Sequence, residues 1–209
     1  MALDFFVTQD QEQLCALCGE NPATTRDHIP PKAIFPKPRP NDLITIPACR
    51  DCNGGASVED ESFAAYLAMH LSMRGDASGR TLVERVATKI LRHNRAMRNF
   101  VLSRSKRVNL ESEGGIFVGE AYAVPWDSKP HDSVIERIVR GLYFHHYGEV
   151  VSSDCRVKVG WYHGLTQEIA EAIKTLPLVS VGDGAFMYKY GRAVEDPRPS
   201  VWYLQFYGG

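Results

Sequence analysis

Two pairs of cysteines constrain this chain more than any other feature of its sequence. Cys15 and Cys18 form one C-x-x-C pair, and Cys49 and Cys52 form a second. Four thiolates in two chelating pairs are the number and type of ligand that a closed tetrahedral zinc site requires. No βαβ pattern surrounds either pair, which argues against a redox-active motif. We therefore predict a structural Zn²⁺ ion, whose binding energy orders the irregular segment between the pairs.

The composition is typical of a soluble globular protein. The chain has 209 residues, of which 44% are hydrophobic and 23% are charged, and its formal net charge is −1. The N-terminal sequence MALDFFVTQDQEQL lacks a basic region and a long apolar run, and no later segment is long enough to cross a membrane. We therefore expect a cytoplasmic protein with no membrane partner. In that reducing compartment, Cys155 is expected to be a buried thiol.

The first half of the chain is predicted to be helical and irregular. A proline-dense loop covers residues 29–40, IPPKAIFPKPRP. Ser57 and Asp60 resemble a capping box, and the apolar residues behind them recur at helical spacing, which predicts a helix of about four turns. A second helix is predicted from Thr81 to Val101.

The segment from Arg80 to Arg107 is strongly basic. It contains nine lysine and arginine residues and a single acid, Glu84. Arg85, Lys89 and Arg92 follow one face of the second predicted helix. This face is either a phosphate-contact surface or an ordinary solvated face, and the first interpretation requires a nucleic-acid site beside it.

From residue 111 onward the pattern becomes α+β. The sequence GGIFVGEAYAVPW predicts strands, and Asp132 is expected to cap a helix that carries Val134 and Leu142 toward the core. CRVKVGWY, residues 155–162, alternates as a half-buried strand does.

The end of the chain is predicted to contain a short helix and a hairpin. The helix runs from Thr166 to Thr175, and AFMYKY and VWYLQFY form the antiparallel hairpin. We therefore predict an α+β protein with two regions. Residues 1–110 form the zinc-supported region with the basic helix, and residues 111–209 form an accessory region.

The residues around the cysteine pairs resemble a known nuclease family. TTRDHIPPK places Asp27 beside His28, and PACRDCN places Asn53 directly after the last cysteine. Together with the two C-x-x-C pairs, this arrangement resembles the zinc-supported branch of the HNH (ββα-metal) endonucleases, whose core is built on a treble-clef zinc unit. The resemblance covers residues 15 to 60, and it depends on the combination of motifs rather than on any one of them.

The resemblance implies a metal-dependent endonuclease that hydrolyses phosphodiester bonds, with DNA as the expected substrate. His28 would be the general base, since imidazole accepts a proton near neutral pH. Asp27 and Asn53 would hold one divalent cation, and their oxygen donors suit Mg²⁺ or Mn²⁺. Asn41 or Asp42 would be the middle residue of the motif, because both precede a leucine where the family has a single asparagine.

Basic residues in both parts of the first region are candidates for nucleic-acid contacts. Lys32 lies on the proline-dense loop, and Arg50 lies between the cysteines of the second pair. With Arg85, Lys89 and Arg92 they form the predicted nucleic-acid-binding set. Such phosphate contacts would position a nucleic acid without reading its sequence.

Two other functions fit the sequence. A non-catalytic treble-clef module would keep the four cysteines and bind nucleic acid or protein without a second metal, so substitution of Asp27 or Asn53 would not change its affinity. A zinc-stabilised scaffold for protein partners is suggested by the more acidic second half, and it predicts no salt-dependent binding to DNA or RNA. Residues 111–209 are also a candidate for contacts with a protein partner or a second copy of the chain.

Overall fold

The fold is α+β, as the sequence predicts. A computed structural model describes residues 13–72, 81–125, 128–162, 164–196 and 199–208. Within these ranges every strand pairing is antiparallel, and the strands form two hairpins and one three-stranded sheet. No helix in the described ranges is long and apolar enough to cross a membrane.

The N-terminal unit has two strands followed by helices. Strands β1 (Thr25–Ile29) and β2 (Ile44–Ala48) form an antiparallel hairpin. Helix α1 (Arg50–Gly54) begins directly after Cys49. Helix α2 (Ser57–Ser72) follows, and its start and length confirm the first predicted helix.

The second predicted helix is not continuous, so that prediction is wrong in part. A π-helical turn (Val83–Ala87) leads into α3 (Thr88–His93), and Asn94 separates α3 from α4 (Arg95–Arg104). The Asn94 side chain accepts a hydrogen bond from the backbone N–H of Met97 at 2.9 Å. Asparagine favours such a cap over a helix interior because its side chain competes for the backbone donors.

The chain then forms a hairpin and its longest helix. Strands β3 (Lys106–Glu111) and β4 (Phe117–Ala123) pair with each other, and the predicted division near residue 110 falls within this hairpin. Helix α5 (Ser128–Tyr147) begins before Asp132, so the prediction that Asp132 caps it is wrong. The Asp132 carboxylate instead accepts a hydrogen bond from Trp161 Nε1 at 2.7 Å.

Residues 155–162 do not form the predicted strand. Val157 and Val159 are half-buried, whereas Arg156, Lys158 and Gly160 are exposed, so the alternation is present. No strand pairs with this segment among the residues that the structure describes. Arg140 on α5 instead donates hydrogen bonds to the carbonyls of Val151 and Cys155, each at 3.0 Å. The Arg140 side chain thus satisfies the first carbonyl of this stretch, that of Cys155, and the Val151 carbonyl just before it.

The C-terminal part confirms the predicted helix and hairpin. Helix α6 (Gln167–Lys174) is capped by Thr166, and strands β6 (Phe186–Arg192) and β7 (Ser200–Phe206) pair in antiparallel register. The sequence analysis missed strand β5 (Leu178–Val181), which adds to the outer edge of β6.

One hydrophobic core includes residues from both predicted regions. Ile29 and Ile46 of the β1–β2 hairpin lie in the same buried cluster as Ile138 of α5 and Phe186 of β6. At the contact between α5 and the hairpin, a Cβ atom on Gly141 would lie 2.6 Å from Ile29 Cγ1 and 3.1 Å from Ile46 Cδ1. Glycine at this position therefore sets how closely the helix approaches the hairpin.

We expect Gly141→Ala to lower the free energy of unfolding by about 1–3 kcal/mol, the usual cost of overpacking a filled core. Ile29 is fully buried and β-branched, so its side chain cannot move aside without disturbing its neighbours. Urea denaturation measures the change. Gly54→Ala is the matched control, because nothing lies within 4 Å of its added Cβ and alanine favours a helix by about 1 kcal/mol. Equal stability of the two variants would contradict the close-approach argument.

Candidate functional site

Each cysteine pair is held by local backbone hydrogen bonds. Residues 13–23 form a short hairpin-like loop. In this loop Cys15 N–H donates to Asn21 O and Gly19 N–H donates to Cys15 O, both at 2.8 Å. Gly19 has a φ of +70°, a value that glycine adopts without strain. In the second pair, Cys49 precedes α1, and its Sγ accepts a hydrogen bond from the backbone N–H of Cys52 at 3.5 Å.

The fold brings the two pairs together into one cluster. Ala16 N–H donates to Pro47 O at 2.9 Å, which ties the first turn to β2. The four Sγ atoms all lie within 4.8 Å of one another. A tetrahedral zinc ion with Zn–S bonds of about 2.3 Å separates its sulfurs by about 3.8 Å. The number, type and spacing of these ligands therefore fit one metal ion such as zinc.

The thiols of this cluster differ in acidity. Burial opposes ionisation of Cys18, yet hydrogen bonds from the backbone of Asn21 and Glu20 and from neighbouring thiols outweigh it and lower the Cys18 pKa to about 7. Burial and the neighbouring thiols raise the pKa of Cys52. A bound divalent metal ion would replace the thiol protons and compensate the negative charges of the thiolates, so that all four cysteines could be ionised together.

Asp27 and His28 lie on opposite faces of β1. Asp27 is only 7% exposed. Its Oδ1 accepts a hydrogen bond from the backbone N–H of His28 at 2.8 Å, and its Oδ2 lies 3.6 Å from Nε of Arg137 on α5. Oδ2 has no hydrogen-bond partner among the described residues. Burial raises the pKa of the Asp27 carboxyl, and the positive charge of Arg137 only partly opposes this effect.

Sequence reasoning missed the buried charged cluster around Arg137. Its guanidinium forms an ion pair with Asp60 of α2 as well as with Asp27. Burial raises the pKa of Asp60, an effect that Arg137 opposes and that the charges of Asp27 and Glu59 strengthen. Glu59 Oε2 is also buried and has no hydrogen-bond partner in the described part of the chain. Asp27, Asp60 and Arg137 are far apart in sequence and form no local motif, so no sequence pattern groups them.

Asn53 lies against the same face of β1 as Asp27. Its Nδ2 donates hydrogen bonds to Thr25 Oγ1 at 3.0 Å and to the Arg26 carbonyl at 3.2 Å. Thr25 and Asp27 are two positions apart on the strand, so their side chains point to one face. With its amide nitrogen bonded to the strand, Asn53 keeps its side-chain oxygen as a possible cation ligand.

His28 faces a group of positive charges on the other side of β1. Burial lowers the pKa of His28, and the charges of Lys32, Arg39 and Arg26 lower it further, against the opposing charge of Asp27. Arg39 Nε donates a hydrogen bond to the Lys32 carbonyl at 3.2 Å, which holds these two cations on one loop. Its surroundings, a partly buried position beside a positively charged surface, therefore favour the neutral form of the His28 imidazole.

The two candidates for the middle residue of the motif lie in different environments. The Asp42 carboxylate accepts hydrogen bonds from the backbone N–H of Gly182 at 2.9 and 3.1 Å, so it ties the β1–β2 loop to the β5–β6 turn. Tyr207 Oη reinforces this link by donating to the Ile34 carbonyl at 2.9 Å. Asn41 is exposed beside this anchor, and its role in the motif stays a prediction.

The predicted nucleic-acid-binding residues come from different elements of the fold. Lys32 lies in a 3₁₀ turn (Lys32–Ile34) near His28, and Arg50 is exposed at the start of α1. Lys89 and Arg92 are exposed on α3. The prediction for Arg85 concerns a side chain outside the described part of the structure. The predicted set omits Arg26 and Arg39, whose charges lower the pKa of His28.

Comparison of the chain with known protein families, curated proteins and solved structures found no match.

We expect the purified protein to carry about one zinc ion per chain, and Cys49→Ser to lose it, because a closed site needs all four thiolates. The loss should destabilise the N-terminal unit strongly, since structural zinc supplies folding free energy on the order of 10 kcal/mol. Metal analysis and thermal unfolding measure both effects. Cys155→Ser is the matched control, because Cys155 lies outside the cluster. A Cys49→Ser protein that kept its full zinc content would rule out the four-cysteine site.

Proposed function

We propose that this protein is a metal-dependent endonuclease that hydrolyses phosphodiester bonds in nucleic acid, with DNA as the expected substrate. In this proposal the four cysteines hold a structural zinc ion. His28 is the general base, and Asp27 and Asn53 hold a divalent cation, Mg²⁺ or Mn²⁺. The observation that carries the proposal is the position of His28, which is partly exposed, follows the buried carboxylate of Asp27 and lies within the electrostatic influence of Lys32, Arg39 and Arg26.

The environment of His28 suits a general base. A base must be unprotonated to accept a proton from water, and both burial and the neighbouring cations favour the neutral form of His28. The side chain remains partly exposed, so a water molecule can reach it. The hydrogen bond from His28 N–H to Asp27 Oδ1 fixes the backbone that carries the imidazole.

The cations around His28 suit a phosphate group. Lys32, Arg39 and Arg26 come from two adjacent segments and together lower the His28 pKa, so their fields overlap at this side chain. A phosphodiester bound there would relieve their mutual repulsion and release counterions from the nucleic acid. Exposed arginine and lysine side chains at this edge would hold the backbone of a nucleic acid without reading its bases.

The residues at Asp27 fit a hard cation. Asp27 Oδ2 is a buried carboxylate oxygen with no hydrogen-bond partner among the described residues, and Arg137 is shared with Asp60. Such an oxygen is a ligand that Mg²⁺ or Mn²⁺ accepts, and the side-chain oxygen of Asn53 is a second. When bound, a divalent ion would stabilise the charge that develops on the phosphate. Asn41 is proposed to support the loop that carries His28.

One observation favours a second candidate function, a zinc module that binds nucleic acid without cutting it. Asp27 is nearly fully buried and already has Arg137 as a positive partner, so it has a structural role without any divalent ion. Lys32 and Arg39 would still bind phosphate in such a module. The two functions differ in whether the protein cleaves nucleic acid at all.

We expect the wild-type protein to nick supercoiled plasmid in the presence of Mg²⁺ or Mn²⁺, and zinc-loaded His28→Ala to be slower by about 10²–10⁴-fold, the usual contribution of a general base. The conversion of supercoiled to open-circular plasmid gives the rates. Single-stranded DNA and RNA are tested in parallel.

His145→Ala is the control for the nicking assay, because His145 is an exposed histidine at the end of α5. It should cut at the wild-type rate. If His28→Ala cuts as fast as wild type, His28 is not the base. If the wild type cleaves none of the three substrates but binds one of them, the protein is the non-catalytic module.

Binding to duplex DNA should weaken with salt, and we expect Lys32→Ala to reduce the slope of log K against log salt by about 1, since one phosphate contact is lost. Arg39→Ala should have a similar effect. Fluorescence anisotropy at several salt concentrations measures the slopes. Lys158→Ala, at an exposed position on the 155–162 segment, should leave the slope unchanged. Identical slopes for all four proteins would show that this edge does not contact phosphate.

A further inference from the structure

The β3–β4 hairpin stands apart from the core. The structure describes all of its residues, and none of them is buried. No third strand pairs with it within the described ranges. A two-stranded hairpin without packing on a further strand or helix is marginally stable in water. A surface that covers this hairpin is therefore expected.

The end of the hairpin is both apolar and acidic. We define the hairpin tip as residues 111–118, which include the turn at Gly114 and Gly115. Three consecutive apolar side chains of the tip are largely exposed, with exposed fractions of 69% for Ile116, 59% for Phe117 and 64% for Val118. Glu111 and Glu113 stand beside them and are also exposed. Ile116 directly precedes β4, and the side chains of Phe117 and Val118 point to opposite faces of the hairpin, so apolar surface is exposed on both sides of the tip. Exposed apolar side chains gathered at one end of an element are typical of an interaction site.

The charge of the hairpin disfavours a nucleic acid as its partner. Residues 106–123 contain two basic and three acidic side chains, and both charged residues of the tip are glutamates. A phosphate backbone would be repelled by these glutamates. The tip instead suits a surface that is apolar and basic.

Helix α4 of the same chain presents such a surface. Arg95, Arg98 and Leu102 are spaced three and four residues apart, so they share one face of the helix. Leu102 is 71% exposed. The sequence from Thr88 to Arg104 has no acidic residue. The α4 face, defined by these three side chains, is thus complementary to the hairpin tip in charge and in apolar character.

We infer that the hairpin tip of one chain docks on the α4 face of a second copy. Only Ser105 separates α4 from β3, and a six-residue strand carries the tip about 20 Å from that point. The hairpin does not pack along its own α4 in the described structure. Two copies related by a two-fold axis can each place a tip on the other's helix, which closes the assembly as a dimer.

This dimer is independent of the proposed nuclease activity. The docking surfaces are the hairpin tip and α4, whereas the nucleic-acid candidates Lys89 and Arg92 lie on α3, on the other side of the break at Asn94. His28 and the cysteine cluster lie in the N-terminal unit. A dimer can therefore form whether or not the protein cuts nucleic acid, and its test needs no substrate.

Sedimentation velocity over about 1–100 µM protein tests the inference, because this range detects an association of micromolar dissociation constant. The wild type should show a concentration-dependent dimer. A tip variant, Phe117→Ser with Val118→Ser, should be monomeric. The charge reversal Glu111→Lys with Glu113→Lys should raise the dissociation constant at least about tenfold, since two attractive pairs become repulsive. Arg95→Glu with Arg98→Glu should do the same.

Two further measurements are decisive. In the first, the protein with the reversed tip is mixed with the protein with the reversed α4 face. In the second, all four reversals are combined in one chain. Both should restore the dimer, because each tip then meets a helix face of opposite charge again. Val194→Ser, at a position that is 98% exposed, is the control and should dimerise as wild type does. A wild type that stays monomeric would overturn the inference. So would charge reversals that do not weaken the dimer singly, or whose combination does not restore it. A monomer whose tip variant loses affinity for DNA would show that the tip contacts nucleic acid instead.

Discussion

The close approach of α5 to the β1–β2 hairpin organises the rest of this structure. Gly141 has no side chain where it meets Ile29 and Ile46, so the helix lies against the strands at a distance that any Cβ would prevent. Arg137 is one helical turn before Gly141, and Asp27 is two residues before Ile29 on the same face of β1. The position of α5 along β1 therefore places Gly141 against Ile29 and Arg137 against Asp27. Core packing and the buried ion pair thus depend on the same helix–strand contact.

The charged cluster at that contact is an unusual feature of a core. Arg137 faces Asp27 and Asp60, with Glu59 nearby, so carboxylates outnumber the one guanidinium. Desolvation of buried charges costs more than a single ion pair recovers, and removal of one partner from such a group typically costs about 3–5 kcal/mol. A core built for stability alone would use apolar residues here. The excess of carboxyl groups over guanidinium suits the cation that the proposed function requires at Asp27.

The C-terminal sheet gives physical support to the loop beside His28. Asp42 binds the backbone of Gly182 in the β5–β6 turn, and Tyr207 binds the Ile34 carbonyl. Both bonds fix the β1–β2 loop, which also carries Lys32 and leads back to the second cysteine pair. The C-terminal region therefore does more than follow the four-cysteine unit, because it holds the loop beside His28 in place.

Local patterns in the sequence determined much of this protein. The spacing of the cysteines predicted a cluster that fits one metal ion, and apolar periodicity predicted α2, α6 and the C-terminal hairpin, because these depend on residues within a few positions of one another. The break at Asn94 is also local, because this residue caps the helix that follows it, although apolar periodicity alone does not show it. Only the tertiary structure decided the rest. Residues 155–162 alternate like a strand, but no strand pairs with them in the described ranges, and Arg140 of α5 donates a hydrogen bond to the Cys155 carbonyl instead. The pairing of Asp27 with Arg137 has no sequence signal, since it arises from the packing of a helix and a strand that are far apart in the chain.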